Sequence, residues 1–384
     1  MADRRKKQPR GAASGQAGAN RPETLPPPGA GEVKNQYLPA RPISLRTLGD
    51  YLDLSPATIS LVLNNAPGVS SIPQETRNRV IAAAKKFDYR PSFVARSLRR
   101  RQSFSVGVLV PELSDGYSAL VLNGIEEVLI EEGYFYLTAS HRRKADLIEE
   151  YPRLLMERSV EGFVAIDTPL RHSLPLPVVA VAAHKPLPGV TRIMLDHRRA
   201  AELILRHLYQ LGHRHIAFMR GQTFSSDSED RWNSLMAVAR ELELEVHPDL
   251  VVRLEQSISS PELGYPVAGK LLAARRPFTA LVSYNDIAAI GAIRGFRDHR
   301  LRVPEDVSVV GFDDILGAAY HSPSLTTIRQ SLNSMGNTAA RILLHRIRGG
   351  AEAPDDVPIV PEIVIRESTM PPNPDRARKP ESRR

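Results

Sequence analysis

The chain has 384 residues and a formal net charge of +8, from 51 Lys and Arg against 43 Asp and Glu. Its hydrophobic content of 42% and its length are typical of a soluble protein of two or three domains. Because the chain has no Cys, a disulfide framework, a cysteine nucleophile and a thiolate metal site are excluded. No apolar run approaches the roughly 20 residues that span a bilayer, and the charged N-terminus has no apolar region of a secretory signal, which predicts a cytoplasmic protein.

The charge is unevenly distributed along the chain. Residues 1–103 hold 18 basic and 7 acidic side chains, a net charge of +11, and residues 371–384 hold 5 and 2, a net charge of +3. The residues between them hold 28 basic and 34 acidic side chains, a net charge of −6. A basic segment attached to an acidic body indicates a module that binds a polyanion, joined to a core with another role.

Both ends of the chain lack patterned apolar segments. Residues 1–40 and 371–384 are rich in Pro and in charged side chains, which predicts two disordered tails. Their basic charge leaves two roles open, loose binding of an acidic polymer or an increase in solubility.

Three short helices are predicted between residues 41 and 90. Ser44 is placed to cap a helix over Leu45–Leu52, and Ser55 is placed to cap a second helix over Pro56–Leu63. Apolar residues at helical spacing predict a third helix over Pro73–Phe87. Three short helices with a tight turn between the first two indicate a helix-turn-helix domain that binds DNA.

From residue 104 onward, apolar strands alternate with amphipathic helices. This pattern predicts parallel sheets with helices on both faces, and its length favours two α/β lobes over one. A ligand is then expected in the cleft at the carboxyl ends of the strands. The predicted strands are VGVLVP, YFYLTA, GFVAID, VVAVAA, HIAFMRG, TALVSY and VSVVGFDD.

Several separated segments resemble the lactose-repressor (LacI) family of bacterial transcription regulators, in the family's order. They include SPATISLVLN, FDYRPSFVARSLR, LGHRHIAF, YNDIAAIGAIRGF, VPEDVSVVGFDD and SLTTIRQ. The resemblance implies an N-terminal all-α helix-turn-helix head and an α/β two-lobed core like that of periplasmic binding proteins, with two parallel sheets and flanking helices. It divides the chain into a DNA-binding domain over 41–90, a hinge over 91–103, a first lobe over 104–191 and 331–357, and a second lobe over 192–330 and 358–370.

The resemblance places the second helix in the major groove as the recognition helix. Hydroxyl groups at its start can donate to phosphates or bases, and Pro and Ala there can give apolar contacts only. The residues that we expect to contact DNA are Ser55, Pro56, Ala57, Thr58, Ser60 and Asn64. The chain departs from the family at Leu61, where a basic side chain is common, and at Gly49, which should weaken the first helix by about 1 kcal/mol relative to Ala.

The hinge of the family forms a short helix on the operator and inserts a Leu into the minor groove. By this resemblance Leu98 is the expected wedge. Val94 and Ala95 would pack against the partner hinge, and Arg96 and Arg99 would lie near phosphates. A helix of about eight residues is too short to be stable alone in water, so it should form only on DNA.

The resemblance also implies an effector site between the lobes. The planar fork of Arg231 suits vicinal hydroxyls or a carboxylate. Polar groups that match the family's effector contacts are Asn285, Asp313 and Gln330, and the apolar candidates beneath a sugar ring are Tyr117, Phe224 and Tyr284. Of the adjacent Asp313 and Asp314, one is expected to face the cleft and the other to be structural.

The leading hypothesis is a repressor that binds a palindromic operator as a homodimer, with its DNA affinity controlled by a small metabolite, a sugar or sugar derivative. A regulator controlled by a protein partner is the alternative. An enzyme or an exported solute-binding protein is more distant, because no P-loop, GxGxxG, GxSxG or HExxH motif is present. No cofactor or metal is expected, and the pair His213 and His215 is interpreted as structural.

Overall fold

The computed structural model describes residues 43–89, 102–114, 116–182, 185–225, 227–256, 260–350 and 354–374. The chain divides into two compact units, Met1–Ser92 and Phe93–Arg384. The predicted tail over 1–40 and most of the predicted hinge and C-terminal tail lie outside the described residues. Within the described ranges, no helix is long and apolar enough to cross a membrane.

The first unit contains three helices, α1 over Leu45–Leu52, α2 over Pro56–Leu63 and α3 over Gln74–Lys86, with a 3-10 turn over Val69–Ser71. The bounds of α1 and α2 are as predicted. The third helix is one residue shorter than predicted at each end, because Pro73, with an extended ψ of 142°, and Phe87, with φ −99° and ψ 10°, do not have helical backbone angles.

Serine caps explain where the first two helices begin. The Ser44 hydroxyl accepts the backbone N–H of Thr47 at 3.0 Å, and the Ser55 hydroxyl accepts that of Thr58 at 3.1 Å. Each cap satisfies a backbone donor that the helix itself leaves unpaired. The predicted caps of both helices are confirmed.

Gly49 has a packing role in the turn between α1 and α2. A Cβ atom on Gly49 would lie 2.8 Å from the carbonyl oxygen of Leu54. The glycine therefore permits the close approach of the two helices, which buries Leu48, Ile59 and Val80 completely. Its cost in helix propensity is offset by this packing.

The second unit contains two six-stranded sheets. The strands of the first sheet lie in the order β11-β5-β4-β3-β1-β2 and are all parallel. They are β1 Ser105–Val110, β2 Phe135–Ser140, β3 Phe163–Ile166, β4 Val178–Val181, β5 Val190–Leu195 and β11 Asp356–Ile359. Helices α4 Gly116–Glu131 and α11 Leu332–Ile347 pack on one face, and α5 Ala145–Glu157 packs on the other.

The second sheet has the strand order β12-β10-β9-β8-β6-β7, with only β12 antiparallel to its neighbour. Its strands are β6 Ile216–Arg220, β7 Val251–Arg253, β8 Ala280–Val282, β9 Ser308–Asp313, β10 Thr326–Arg329 and β12 Glu362–Val364. Its helices are α6 His197–Gln210, α7 Asp227–Glu241, α8 Tyr265–Ala273, α9 Asp286–Asp298 and the short α10 Leu316–Tyr320, with 3-10 turns over Pro248–Leu250 and Pro261–Leu263.

The chain passes between the two lobes three times, after β5, after β10 and after β11. The first and third passages run side by side, since the backbone N–H of Asp196 donates to the carbonyl of Ile359 at 3.0 Å. The two-lobed α/β architecture is as expected from the sequence.

Three predicted boundaries are wrong. The boundaries at 191/192 and 357/358 cut β5 and β11, and both strands lie wholly in the first sheet because each pairs along its length with a neighbour there. The predicted hinge extends to residue 103, but Ser103 is buried and its backbone N–H donates to the Glu161 carboxylate of the first lobe.

A buried carboxylate holds the carboxyl end of the second sheet together. Asp286 is fully buried at the start of α9 and accepts the Thr327 hydroxyl at 2.6 Å and the Ile315 backbone N–H at 2.9 Å. A Cβ atom on Gly311 would lie 2.1 Å from its Oδ1. Burial raises the pKa of Asp286 to about 7, since a charged carboxylate is poorly solvated there.

The contact between α4 and α11 depends on two glycines. A Cβ atom on Gly336 would lie 1.9 Å from the carbonyl oxygen of Val121, and one on Gly124 would lie 1.9 Å from that of Asn333.

We expect Gly336→Ala to lower the free energy of unfolding by about 1–3 kcal/mol, because the helices must separate. Urea unfolding followed by circular dichroism measures this loss.

The matched control is Gly269→Ala, also inside a helix. Its Cβ atom would have its nearest contact at 3.7 Å, on the ring of His299. This substitution should be neutral or stabilising by up to about 1 kcal/mol, since Ala favours helix over Gly. Equal losses for the two variants would contradict the packing argument.

The raised pKa of Asp286 predicts a pH dependence of stability. The folded-state pKa of about 7 lies above the value of 3.8 for an unperturbed Asp. The contribution of this group to the free energy of unfolding is therefore present at low pH and is lost as the pH rises toward 7. The Asp286→Asn variant has no such titration. The melting temperature of wild type minus that of the variant should therefore fall between about pH 4 and pH 7, and parallel melting curves across this range would contradict the prediction.

Candidate functional site

The first turn of α2 presents the residues that the sequence predicts to contact DNA. Ser55, Pro56 and Ala57 are exposed, and Thr58 is half-buried. The hydroxyls of Ser55 and Thr58 lie 2.8 Å apart and are held together by the helix cap. The cap thus fixes the position of both hydroxyls on the exposed end of the helix.

The last turn of α2 is held by hydrogen bonds of its own side chains. The Asn64 amide donates to the carbonyl oxygen of Ser60 at 2.8 Å and to its hydroxyl at 3.2 Å. Both residues are half-buried. Asn64 therefore ends the helix as well as lying on its surface. The hinge candidates Val94, Ala95, Arg96, Leu98 and Arg99 lie outside the described residues.

A cavity of about 70 Å³ lies between the lobes of the second unit. It is bordered by residues that follow the carboxyl ends of strands in both sheets, as the parallel topology predicts. Five of the seven predicted effector residues line it, namely Tyr117, Arg231, Tyr284, Asn285 and Asp313. The remaining lining residues are Arg143, Asp167, Ala182, Gln222, Ser225, Asp227 and Leu263.

Arg231 is the central cation of this cavity and is only 6% exposed. Its Nη1 donates to the carbonyl oxygen of Tyr284 at 2.5 Å, and its Nη2 lies 3.7 Å from a carboxylate oxygen of Asp227. The guanidinium carbon lies 3.6 Å from the ring centre of Phe312 and 4.7 Å from that of Tyr284. These contacts fix the plane of the guanidinium.

Asp313 and Asp314 have the divided roles that their adjacency predicts. Asp313 lines the cavity, and its Oδ1 accepts the side-chain amide of Gln330 at 2.5 Å. Asp314 pairs instead with Arg329 at 2.7 Å and with Arg366 at 2.6 Å. The first carboxylate is therefore part of the cavity wall, and the second is structural.

Gln330 does not line the cavity but lies behind Asp313, which does. The residue is fully buried, and its Oε1 has no hydrogen-bond partner among the described residues. Since Gln330 donates to Asp313, it orients that carboxylate. Its contact with the cavity is therefore indirect.

Two tyrosines supply hydroxyl donors. Burial raises the pKa of Tyr117 well above its usual value, with neighbouring carboxylates adding to the effect, and burial raises the pKa of Tyr284 to about 12. Both hydroxyls therefore stay protonated at neutral pH. That of Tyr284 bonds the Ser225 hydroxyl at 2.5 Å, whereas that of Tyr117 has no partner within the described part of the chain.

Asn285 combines a structural and a polar role. Its Oδ1 accepts the backbone N–H of Ala288 at 2.9 Å and so caps α9. The amide nitrogen of the same side chain is the group that can donate to a ligand. The neighbouring buried Asp286 holds this helix end in place.

Sequence reasoning missed three charged residues of the cavity and misplaced one aromatic residue. Asp167 follows β3 directly, so the expectation of a ligand at the carboxyl ends of the strands points to it. Asp227 lies one helical turn before Arg231, but Arg143 is on a turn that carries no sequence signal. Phe224 does not line this cavity, because its ring, 36% exposed, lies beside it against the Arg143 guanidinium at 4.6 Å.

Of the pair His213 and His215, the first makes structural hydrogen bonds. His213 lies 2.8 Å from the Thr279 hydroxyl through Nδ1 and 2.9 Å from the Met370 carbonyl through Nε2. Burial lowers its pKa. This ring therefore joins the residue before β8 to the end of the second lobe.

Comparison with known proteins identifies the family. Residues 53–92 match the bacterial regulatory proteins of the lacI family, and residues 205–369 match a periplasmic binding protein-like domain. The chain is 30% identical over 325 residues to the HTH-type transcriptional repressor PurR of Aliivibrio fischeri (strain MJ11), covering 83% of this chain and 95% of that one. It is 29% identical over 339 residues to PurR of Haemophilus influenzae, covering 85% and 98%.

A solved structure extends the similarity to the fold. The lac repressor dimer bound to operator and the anti-inducer ONPF superposes with a TM-score of 0.78 at 25% identity, covering 86% of this chain and 100% of that one. The order of head and two-sheet core is the same in both. The chain therefore belongs to the LacI family and is a DNA-binding transcriptional repressor.

Proposed function

We propose that this repressor binds a palindromic operator as a homodimer, and that a sugar or sugar derivative in the interlobe cavity controls its affinity for DNA. The observation that carries the proposal is the cavity itself. It has a fixed guanidinium, a tyrosine hydroxyl without a partner among the described residues, and three carboxylates that converge from both lobes. Polar groups buried in this way are usually satisfied by a polar ligand or by water.

The balance of charge in the cavity favours a neutral ligand rich in hydroxyls. The guanidiniums of Arg143 and Arg231 are opposed by the carboxylates of Asp167, Asp227 and Asp313, a net charge of −1. A carboxylate or phosphate ligand would meet this excess negative charge. Hydroxyls can donate to the carboxylates and accept from the guanidinium fork, as a sugar does.

Apolar side chains on the surface support self-association. Leu316 and Tyr320 lie four residues apart on α10 and are 73% and 82% exposed. Residues at this spacing share one helix face. We assign the association surface to this helix face, and a twofold homodimer would read a palindromic site.

A ligand in this cavity contacts both lobes and so changes the free-energy difference between open and closed arrangements of the core. If ligand binding and operator binding are coupled, the ligand changes the affinity for the operator by a certain factor. The operator must then change the affinity for the ligand by the same factor, because coupling is reciprocal.

The role of the recognition helix is tested with Thr58→Ala. Loss of the hydroxyl should weaken binding to operator DNA from the protein's own promoter region by about tenfold to a hundredfold, the size of a direct contact in the groove. Fluorescence anisotropy at fixed salt concentration measures the affinity.

Thr47→Ala is the matched control for this substitution. Thr47 bonds the cap residue Ser44 with the same 2.8 Å hydroxyl contact, but on α1. This variant should keep wild-type affinity for the operator. Equal losses for the two variants would show that helix stability, and not contact with DNA, explains the effect.

The role of the cavity is tested with Arg231→Lys. Calorimetry of the full chain against a panel of monosaccharides should find a sugar that binds, and the variant should bind it about tenfold to a hundredfold more weakly, because an ammonium cannot replace the fixed fork. Arg240→Lys, on the exposed face of the same helix, should not change the affinity. If no sugar binds to a protein that is active on DNA, the proposed effector class is wrong and a protein co-regulator becomes the leading explanation.

A further inference from the structure

The chain enters the first lobe at Ser103 and Phe104, directly before β1. The two compact units divide after Ser92, and the described chain resumes at Gln102 after the connection between them. Ser103 is only 4% exposed, and Phe104 is half-buried. Ser103 and Phe104 form the junction of this connection with the core. An effect that travels along the chain from the core to the DNA-binding head passes through the junction.

The Glu161 carboxylate holds the junction. Its Oε1 accepts the backbone N–H of Ser103 and, at 2.8 Å, that of Phe104. Its Oε2 accepts the Tyr134 hydroxyl at 3.1 Å. Successive backbone N–H groups that point to one anion form a concave anion site, and hydrogen bonds to a charged acceptor are stronger than those to a neutral one. Both oxygens of Glu161 are thus engaged.

The backbone of Phe104 has a conformation that needs such an anchor. Its φ is 49°, in the left-handed region that a side chain with a Cβ atom disfavours. A residue in this region interrupts the extended backbone, so the chain turns away from the line of β1. The Phe104 ring packs edge-on against that of Tyr134 at 5.4 Å, and its carbonyl accepts the Phe135 backbone N–H at 2.7 Å. These contacts fix the turn, as strained residues require.

The anchor joins parts of the first lobe that are far apart in the chain. Tyr134 lies between α4 and β2 and is 7% exposed. Burial, with the Glu161 carboxylate beside it, raises the pKa of its hydroxyl, which therefore stays a donor at neutral pH. Glu161 lies two residues before β3, and its own backbone N–H donates to the carbonyl of Ser105 in β1 at 2.8 Å. The junction is therefore built into the paired starts of β1, β2 and β3.

We propose that Glu161 is a positioning residue for operator binding, because its carboxylate holds the core end of the connection in one backbone conformation. Specific binding orders the head and its connection on the DNA, and an anchored connection has less conformational entropy to lose. Nonspecific attraction to phosphates depends on charge and not on this ordering. The assignment depends on the DNA binding of the repressor and not on the class of its effector.

The test is Glu161→Ala in the full chain, measured by fluorescence anisotropy at fixed salt concentration. Two duplexes are compared, the operator from the protein's own promoter region and an unrelated sequence of the same length. The variant should bind the operator about tenfold more weakly, or about 1.4 kcal/mol. It should bind the unrelated duplex as wild type does, because the contacts with phosphates are unchanged.

Two further variants separate the anchor from the loss of a charge. Glu161→Gln keeps a carbonyl oxygen that can accept both backbone N–H groups, and it should restore most of the operator affinity. The matched control is Glu132→Ala, which removes a carboxylate from the same part of the lobe. Glu132 pairs with Arg348 at 2.6 Å and has no hydrogen bond to the junction among the described residues. This variant should bind both duplexes as wild type does.

Melting curves from circular dichroism show whether each variant is folded. Wild-type operator affinity of a folded Glu161→Ala protein would overturn the proposal, as would equal losses on the two duplexes, equal losses in Glu132→Ala, or a loss that Glu161→Gln does not reduce. If Glu161→Ala does not fold, Tyr134→Phe decides, since it removes only the hydroxyl that Oε2 accepts. That variant should prefer the operator less than wild type does, and an unchanged preference would overturn the proposal. No effector is used, so the proposed control by a sugar stands or falls separately.

Discussion

The buried guanidinium of Arg231 is the charge around which the cavity between the lobes is built. Removing such a group from water costs several kcal/mol unless its donors and charge are matched. The partners come from separate elements, since Asp227 begins α7, Tyr284 follows β8 and Phe312 lies in β9. Three elements therefore meet at one buried charge, and the guanidinium Nε is left without a hydrogen-bond partner among the described residues.

The cavity is closed from the first lobe by a second guanidinium, that of Arg143. Its pairing with Asp167 and its contact with Phe224 separate a small polar space from a larger apolar one. The two spaces are therefore distinguished by the side chains at their junction as well as by their walls. In the first unit, serine caps fix where the first two helices of the DNA-binding head begin, and the absence of a side chain at Gly49 lets them pack closely.

Five of the lining residues are expected from the resemblance to the LacI family, and two of them, Asp313 and Asn285, also lie where a strand ends or a helix begins. Asp167 directly follows a strand in the same way. Arg143 lies on a turn with a positive φ of 56° that no pattern marks. Phe224 is expected in the cavity as an aromatic residue, and the structure places its ring elsewhere. The direction in which a loop side chain turns depends on what packs beside it.

The sequence by itself determined the helix caps, the buried strand cores, the number of lobes and the separation of a basic head from an acidic body, since these depend on local spacing and composition. Only the tertiary structure decided that all of β5 and β11 belongs to the first sheet, that β12 runs antiparallel, and that two cavities meet at Arg143. Strand pairing and cavity walls join residues far apart in the chain. Their geometry follows from packing that no local pattern encodes.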